Sequence, residues 1–498
     1  MSTAPPVRPG AADRPNLETW QLRAAFARSL SAMYGREVPA YTALVEVTSG
    51  VNADALARDG VRAERLGTIG RVTAERHGAI RVGTPAELAQ VARVFGAFGM
   101  EAVGFYDLRD APGAPVPVVS TAFRPVSAGE LARNPFRVFT SVLVTGDRRF
   151  FDADLQSRLE ARLARRSLFD PDLLELADRA PADGGLPPAA ADRLLTLATA
   201  AFELSREPVD RAWYAELAAV SPVAADIGGV PTTHLNHLTP RVLDIDDLYA
   251  RMTDRGIAMI DEIQGPPRWA GPDVLLRQTS FRALAEPRRF TEVDGSVEVG
   301  ELRVRFGEVE ARGIALTPAG RDRYDTMTAE VDAAVAAGAP RPAAAAAVWA
   351  RRLPSTEAEL ESSGLGYFTY RLADRSRGSG RTDSDQISDG RQTTRPSLAE
   401  LVAVGAVVAE PVVYEDFLPR SAAGIFASNL DGPATTVGAD GGPELDLDWI
   451  AGVIGAPVHD PVDLYAAQRR ASLDALAATL GRDPASLQPP TGHLEETA

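Results

Sequence analysis

Two of the five histidines of the chain lie within four residues, in the stretch His234-Leu-Asn-His-Leu-Thr-Pro-Arg241. Its alternating composition predicts a strand, on which side chains two residues apart share a face. His237 then shares a face with Leu235 and Thr239, while His234 points to the opposite side. Only one of the two can therefore face a core. His237 lies among apolar and small neighbours, so we predict it to be a metal ligand or catalytic base, although a histidine taken alone is more often simply packed.

This strand opens a block with a regular order of elements. The strand is predicted over residues 235–243, and an acidic cap at Asp244 or Asp246 begins a helix that ends near Gly256. Three strands are then predicted, at residues 258–263, 274–281 and 301–316. The block therefore has the order β-α-β-β-β.

An earlier block has the same order. It begins with a strand at His77-Gly-Ala-Ile-Arg81-Val, followed by the helix start Thr84-Pro-Ala-Glu87, in which Thr84 is the N-cap and Glu87 completes a capping box. Strands are predicted at residues 102–108, 116–123 and 136–144. The two blocks share no visible sequence identity. A β-α-β-β-β unit used twice can nevertheless form a curved sheet around a shared cleft.

The remaining segments predict an α+β protein in which two β-α-β-β-β modules form a curved, barrel-like sheet around a metal site, with a helical insert and peripheral helices. Residues 150–225 are predicted to be the helical insert, because leucines recur there at helical spacing. Residues 402–413 are predicted to be a pair of strands and residues 462–480 a helix. The expected boundaries are a flexible tail at 1–16, an N-terminal helix and first module at 17–149, the insert at 150–225, the second module at 226–325, a helical region and polar loop at 326–400, and returning strands, a loop and a C-terminal helix at 401–498.

Composition limits the classes of function. The 498 residues carry a net charge of −16, which argues against nucleic acid as a partner, because phosphate binding needs a basic surface. No cysteine is present, so disulfides, zinc–thiolate sites and cysteine nucleophiles are excluded. A metal would have to be bound by His, Asp or Glu. With no apolar run of membrane-spanning length and no signal-like segment, we expect a cytoplasmic protein with no membrane association.

A third group of candidate residues lies in the run Arg303-Val-Arg-Phe-Gly-Glu-Val-Glu-Ala-Arg312. Alternation places Phe306, Glu308 and Glu310 on one face, and a carboxylate on an inward face is costly unless a cation or a metal neutralises it. The alternative for either glutamate is an ion pair with arginine. Two histidine strands and one glutamate strand would supply the two-histidine, one-carboxylate set of non-haem iron sites. The spacing does not choose among iron, manganese and zinc. We find no phosphate-binding glycine loop, no nucleophile elbow and no dinucleotide-binding motif.

Several stretches resemble the 2-oxoadipate dioxygenase/decarboxylase family, also called 2-hydroxyglutarate synthases. They span residues 70–430 and are Arg76-His-Gly-Ala-Ile-Arg81-Val-Gly-Thr84, Gly104-Phe-Tyr-Asp-Leu108, Ser120-Thr-Ala-Phe-Arg-Pro125, Asn134-Pro-Phe-Arg-Val-Phe-Thr-Ser141, Asn236-His-Leu-Thr-Pro-Arg241, Leu275-Leu-Arg-Gln-Thr-Ser-Phe281, Arg305-Phe-Gly-Glu-Val-Glu-Ala-Arg-Gly-Ile-Ala-Leu-Thr-Pro318 and Tyr414-Glu-Asp-Phe-Leu-Pro419.

The resemblance implies a fold similar to the vicinal oxygen chelate enzymes and an Fe(II) centre held by His77, His237 and Glu308, with Glu310 as the alternative third ligand. His77 is also implied in substrate binding, and Arg81 is implied as the arginine that binds the substrate carboxylate. It lies on the same predicted strand face as His77, about 13 Å along the strand.

Further substrate contacts are implied in the loop at residues 417–426, through Arg420 and Ser421. Arg420 departs from the small aliphatic residue usual in the family, which puts the preferred substrate in question.

The implied reaction converts 2-oxoadipate and O₂ to 2-hydroxyglutarate and CO₂, a step of lysine degradation. Two alternatives stay open at this stage. One is a related metal-dependent oxygenase or isomerase of the same fold that acts on another 2-oxo acid. The other is a non-catalytic protein that binds small diacids. The sequence leaves the oligomeric state open.

Overall fold

The structure is a computed structural model that describes residues 15–110, 115–303, 305–373, 395–418 and 442–489. The elements up to the first sheet are α1 Thr19–Glu37, α2 Pro39–Asp59, α3 Ile69–Ala74, β1 Arg76–Val82, α4 Pro85–Gly96, β2 Glu101–Asp107, β3 Val118–Arg124, α5 Ala128–Arg133 and β4 Arg137–Leu143. They are followed by α6 Ala153–Leu163, α7 Pro171–Ala182, α8 Pro188–Ala200, β5 Val209–Asp210, α9 Arg211–Val220 and α10 Pro222–Gly228.

The second half of the chain continues with β6 His237–Pro240, α11 Ile245–Asp254, β7 Leu276–Phe281, β8 Glu286–Thr291, β9 Val297–Leu302 and β10 Gly307–Arg312. The last elements are α12 Pro318–Ala336, α13 Arg341–Arg352, α14 Glu357–Ser362, β11 Phe368–Leu372, α15 Leu398–Ala403, β12 Val407–Pro411, α16 Leu447–Ile454 and α17 Pro461–Leu480. The fold is therefore of mixed α+β class.

The first module has the predicted order, β1-α4-β2-β3-β4, with the short helix α5 inserted before β4. Thr84 and Glu87 form the expected capping box at the start of α4. The sheet order is β2-β3-β4-β1-β6, with β1 parallel to β4 and the other neighbours antiparallel. Strand β6, from the second module, therefore extends the sheet of the first module beside β1.

The second module departs from the prediction in several places, including the unpredicted strand β8 and a first strand, β6, that is shorter than expected. The strand expected at residues 258–263 is an extended segment with isolated bridges from Met259 and Gln264 to β7, because the Gly-Pro-Pro sequence that starts at Gly265 follows at once and proline lacks an amide donor. The strand expected at residues 301–316 is also divided. Only residues 301–302 belong to β9, which pairs with β8 in a separate three-stranded sheet with β5, and residues 307–312 form β10, which pairs with β7.

Pairing in the second module nevertheless follows the same order as in the first. In the first module the neighbours are β1, β4, β3 and β2, in that sequence. In the second, β6 lies beside β10 through a parallel bridge between Arg241 and Glu310, β10 lies beside β7, and β7 lies beside the segment at residues 258–264.

The expected barrel is not closed by the strands that the structure describes. Strand β2 ends the sheet on one side, and its outer edge is met only at the bridge between Val103 and His459. At the other end, the segment at residues 258–264 is joined to β7 only by isolated bridges among the described residues. The mixed α+β class is confirmed, and the curved, barrel-like form of the sheet stays a prediction.

The chain divides into two compact units, the first within Met1–Gly265, Arg277–Ala311 and Asp416–Asp460, and the second within Pro266–Leu276, Arg312–Glu415 and Pro461–Ala498. In the first unit, helix α1 packs near the end of α4, where Phe26 stacks on Phe98 with ring centroids 4.3 Å apart. Residues 150–225 are helical apart from β5 and loops. In the second unit, the strand pair expected at residues 402–413 is wrong: α15 ends at Ala403, and only β12 follows, antiparallel to β11.

Candidate metal centre

Three buried side chains converge at the junction of β1, β6 and β10. His77 lies on β1, and His237 on β6 pairs with Ala79, two residues further along β1, so both histidines occupy one face of the sheet. Glu308 reaches the same place from β10, the neighbour of β6. Its carboxylate oxygens lie 3.3 Å from His77 Nε2 and 2.9 Å from His237 Nδ1. One ligand atom from each residue falls within 4.8 Å of the others, so the three form a candidate metal-binding cluster.

The donor atoms of this cluster fit a metal ion. Both ring nitrogens of His237 are buried and make no hydrogen bond with any residue the structure describes, although Nδ1 is close to Glu308. Buried polar atoms are almost always satisfied, and an exception calls for a ligand or an ion. Two imidazoles and one carboxylate match the donor set that metals such as Fe(II) use when several coordination positions stay open.

Two further side chains hold the candidate ligands. Glu310, two residues beyond Glu308 on the same strand face, has its Oε2 2.8 Å from His77 Nδ1, where it can accept a hydrogen bond. Gln278 on β7 donates through Nε2 to Glu308 Oε1 at 2.5 Å. A carboxylate behind a ligand histidine orients its ring and leaves the other nitrogen for the metal. The structure thus brings Glu308 against both histidines and Glu310 behind one of them.

The charges within the cluster shift the protonation equilibria of its members. Burial alone would raise the pKa of Glu308, but the neighbouring His237 and His77 outweigh it and lower this pKa to about 2. Burial would lower the pKa of His77, but the charges of Glu310 and Glu308 outweigh it and raise the pKa. The pKa of His237 is lowered, because burial outweighs the attraction of Glu308. Glu308 is therefore held as a carboxylate, which is the form that binds a metal.

Arg81 lies on the same face of β1 as His77, as the alternation predicted, and is buried. Its Nη1 donates to Asp226 Oδ2 on α10, and the same oxygen accepts a hydrogen bond of 2.8 Å from Asn236 Nδ2. The expectation that only one of the two histidines faces a core was wrong: His234 precedes β6 and is also buried, with Nε2 3.3 Å from Asp226 Oδ1. Burial alone would raise the pKa of Asp226, but the charges of His234 and Arg81 outweigh it and lower the pKa.

Sequence reasoning missed Asp226, which lies in the helical insert. A signal was present, because an aspartate within the apolar run Val223-Ala-Ala-Asp-Ile227 must be buried with a cation if that run is buried.

Aromatic side chains surround the histidines. The Phe417 ring lies 5.0 Å from that of His77, and Phe306 lies 5.1 Å from His237, both edge-on. Phe139 on β4 contacts Phe417 at 5.0 Å and Tyr106 at 5.3 Å. These rings exclude water from one side of the cluster. Arg420 and Ser421, implied as substrate contacts, lie outside the described residues.

The geometry defines a class of protein: a mixed α+β protein with a buried site of two histidines and one glutamate, and an arginine on the same sheet face. The chain belongs to the 2-oxoadipate dioxygenase/decarboxylase family, whose profile matches residues 26–429. The family resemblance inferred from the sequence motifs is therefore confirmed.

Relatives and solved structures agree with this membership. A 2-oxoadipate dioxygenase/decarboxylase of Mycobacterium tuberculosis is 58% identical over 449 residues, which are 90% of this chain and 96% of the relative. That of Pseudomonas putida is 40% identical over 469 residues, 92% of this chain and 97% of the relative. The crystal structure of the Pseudomonas putida hydroxyglutarate synthase in complex with 2-oxoadipate matches with a TM-score of 0.77 and 37% identity, covering 94% of this chain and all of that one.

Among the residues that the structure describes, no helix combines the length and apolar character that crossing a membrane requires.

Proposed function

We propose that the protein is an Fe(II)-dependent dioxygenase/decarboxylase that converts 2-oxoadipate and O₂ to 2-hydroxyglutarate and CO₂. The observation that carries the proposal is the buried cluster of His77, His237 and Glu308, whose ligand atoms lie within 4.8 Å of one another. It occurs in a chain whose relatives are named for this reaction. The atoms balance, because the C1 carboxylate of 2-oxoadipate leaves as CO₂ with its own oxygens, one oxygen of O₂ completes the new carboxylate at the former keto carbon, and the other becomes the hydroxyl group.

The bound Fe(II) would supply coordination and activation of the 2-oxo acid and of O₂. The protein's own residues prepare this site before substrate arrives. Glu310 accepts a hydrogen bond from His77 Nδ1 and so directs Nε2 towards the cluster. Gln278 keeps the Glu308 carboxylate in place through its amide. Phe417 and Phe306 exclude water, which limits side reactions of a reactive centre.

Arg81 is proposed to bind the far carboxylate of the substrate. Its guanidinium donates to Asp226, which holds the planar group in one orientation. A guanidinium oriented in advance favours paired hydrogen bonds to a carboxylate. Arg81 lies on the same face as the metal ligands, four residues from His77 along β1. A diacid with one end at the metal and the other at Arg81 would therefore lie over Ala79. A role for Arg420 and Ser421 in binding the same substrate stays a prediction from the family resemblance.

We also propose that the two modules are repeats of the vicinal oxygen chelate type. The support is the shared pairing order, in which the first strand of each module lies beside the last and the first strands of both modules meet. Such an arrangement brings one histidine from each first strand to the shared face, as with His77 and His237.

The proposal is tested first by metal analysis and then by oxygen uptake. Protein loaded anaerobically with Fe(II) should consume O₂ when 2-oxoadipate is added and should release CO₂ and 2-hydroxyglutarate. His237→Ala should retain less metal and show background uptake, because one of three ligands is lost. The matched control is His459→Ala, since the His459 side chain is partly exposed and pairs only with Glu101 among the residues that the structure describes.

Full turnover by His237→Ala would contradict the metal assignment. Loss of the 2-oxo acid without oxygen uptake would instead support an isomerase of the same fold. Binding of 2-oxoadipate with no chemical change in the Fe(II) protein would support a non-catalytic diacid-binding protein.

A further inference from the structure

A row of polar side chains crosses the sheet at the level of Arg81. Arg81 on β1 pairs with Ser141 on β4, Ser141 pairs with Ser120 on β3, and Ser120 pairs with Tyr106 on β2. Paired residues in a sheet point to the same face, so all of these side chains share the face of His77 and His237. All are buried.

An apolar row lies beside this polar row. It is displaced by two residues along each strand towards the metal cluster. It contains Ala79 and Ala122, with the ring of Phe139 between them, and it begins at His237. Two residues along a strand correspond to about 7 Å. The face therefore presents metal ligands, then small and aromatic surface, then Arg81 with two hydroxyl groups. This is the sequence of groups that a 2-oxo acid with a charged far end requires.

Of the two serine hydroxyl protons, only one is used in the hydrogen bond between Ser120 and Ser141. Ser120 Oγ and Ser141 Oγ lie 2.8 Å apart and form one hydrogen bond with each other. Among the described residues, neither hydroxyl makes another hydrogen bond. A pair of hydroxyls carries two protons, and one shared hydrogen bond uses only one of them. The second proton can therefore be donated to another acceptor on this face. Buried donors are rarely left without one, so a ligand oxygen is a chemically suitable partner.

The charge of Arg81 also favours additional donors. Its ion pair with Asp226 already offsets much of the guanidinium charge. An incoming carboxylate would meet a nearly neutral pair, and a neutral hydroxyl that donates to it adds attraction without a further buried charge.

We propose that Ser120 and Ser141 complete the binding site for the far carboxylate of the substrate and thereby select 2-oxo diacids over 2-oxo monoacids. This inference rests on the proposed function and names the part of the site that sets substrate class. One serine donates to the other, and the second donates to the carboxylate beside Arg81. The serines are thus specificity-determining residues and take no part in the chemistry at the metal.

The test compares dissociation constants measured by calorimetry on the anaerobic Fe(II) protein, where no turnover occurs. The ligands are 2-oxoadipate and 2-oxohexanoate, which has the same chain length and no far carboxylate. The double variant Ser120→Ala/Ser141→Ala should bind 2-oxoadipate at least tenfold more weakly, because a hydrogen bond to a charged group is lost. Its affinity for 2-oxohexanoate should change less than about twofold.

The matched control is Thr140→Val, which removes a buried hydroxyl from the same strand on the opposite face. That hydroxyl has no hydrogen-bond partner in the described part of the chain. Both affinities should be unchanged in this variant. Should the double variant fold poorly, Ser141→Cys nearly preserves the volume and replaces a strong donor with a weak one, so it should show the same selective loss to a smaller degree.

Equal weakening of both ligands in the serine variants would assign the pair a purely structural role and overturn the inference. Unchanged affinity for 2-oxoadipate would overturn it as well. Failure of the proposed function is distinguishable, because it would appear as absent oxygen uptake in the unsubstituted protein while the two dissociation constants still report on the serines.

Discussion

Replacement of Glu310 tests whether this residue orients a metal ligand or is itself a metal ligand. Glu310 Oε2 lies 2.8 Å from His77 Nδ1, and both side chains are buried, so truncation of Glu310 removes the side-chain acceptor at this nitrogen. Loss of such a partner behind a ligand histidine costs about 10–100-fold in metal affinity. We expect Glu310→Ala to fall near the upper end of this range, about 2.8 kcal/mol. Glu310→Gln should fall near the lower end, because an amide oxygen still accepts the hydrogen bond.

The assay is anaerobic titration of metal-free protein with Fe(II), or with Co(II) followed by its visible absorption. The matched control is Glu101→Gln, because Glu101 contacts His459 over the same distance, 2.8 Å, at a partly exposed place away from the metal cluster. Metal affinity should be unaffected by this control, whereas Glu308→Gln should remove tight binding, since a neutral amide replaces a ligand carboxylate.

Glu310 also determines the pH dependence of metal binding. Because the charges of Glu310 and Glu308 raise the pKa of His77, the metal must displace a proton from it, and affinity should fall as the pH is lowered through this pKa. In Glu310→Gln this charge is lost and the pKa of His77 falls, so the decline in metal affinity should begin at a lower pH. Tight binding by Glu308→Gln together with none by Glu310→Ala would refute the reasoning and make Glu310 the third ligand.

Three further predictions concern substrate binding and stability. Arg81→Lys should raise the KM for 2-oxoadipate at least tenfold in steady-state assays, because an ammonium cannot form the paired hydrogen bonds of the guanidinium fork; an unchanged KM would remove Arg81 from substrate binding. Asp416→Asn should lower the midpoint of thermal unfolding, because the buried Arg124 donates to both Asp416 oxygens at 2.7 and 3.0 Å. Disruption of such a buried pair costs about 3–5 kcal/mol. A shift as small as that for an exposed ion pair would show that this pair does not stabilise the fold. The pKa of Glu308 is lowered to about 2, so its ionised form should stabilise the metal-free protein above the ordinary glutamate pKa of about 4.3. This contribution should be lost as the pH falls towards 2. Glu308→Gln should therefore show a flatter curve of unfolding midpoint against pH.

Much of the first module could be predicted from sequence because its signals are local. The capping box at Thr84 marks the start of α4, and strand alternation places His77 and Arg81 on one face, as observed. The second module was predicted less well. Residues 301–316 alternate throughout, yet the chain changes its strand partner between β9 and β10, and no local pattern reports which strand it pairs with.

The residues of the candidate site also divide into those that local sequence signals predict and those that they do not. Asp226 comes from a helix 145 residues after Arg81, and Phe417 packs on His77 from a segment still further along the chain. Such contacts depend on packing between distant segments, which local propensity does not contain. Asp226 and Phe417 were therefore not assigned these partners from sequence.

The sequence by itself placed His237 on a strand, as β6 shows, but it did not reveal that His234, which precedes this strand, is buried as well. It also supplied the motifs that carry the family resemblance. Between Glu308 and Glu310 it could not decide, since both lie on the same face of one strand. Only the tertiary structure distinguishes their positions, because the place of β10 beside β6 brings Glu308 against both histidines and leaves Glu310 behind His77.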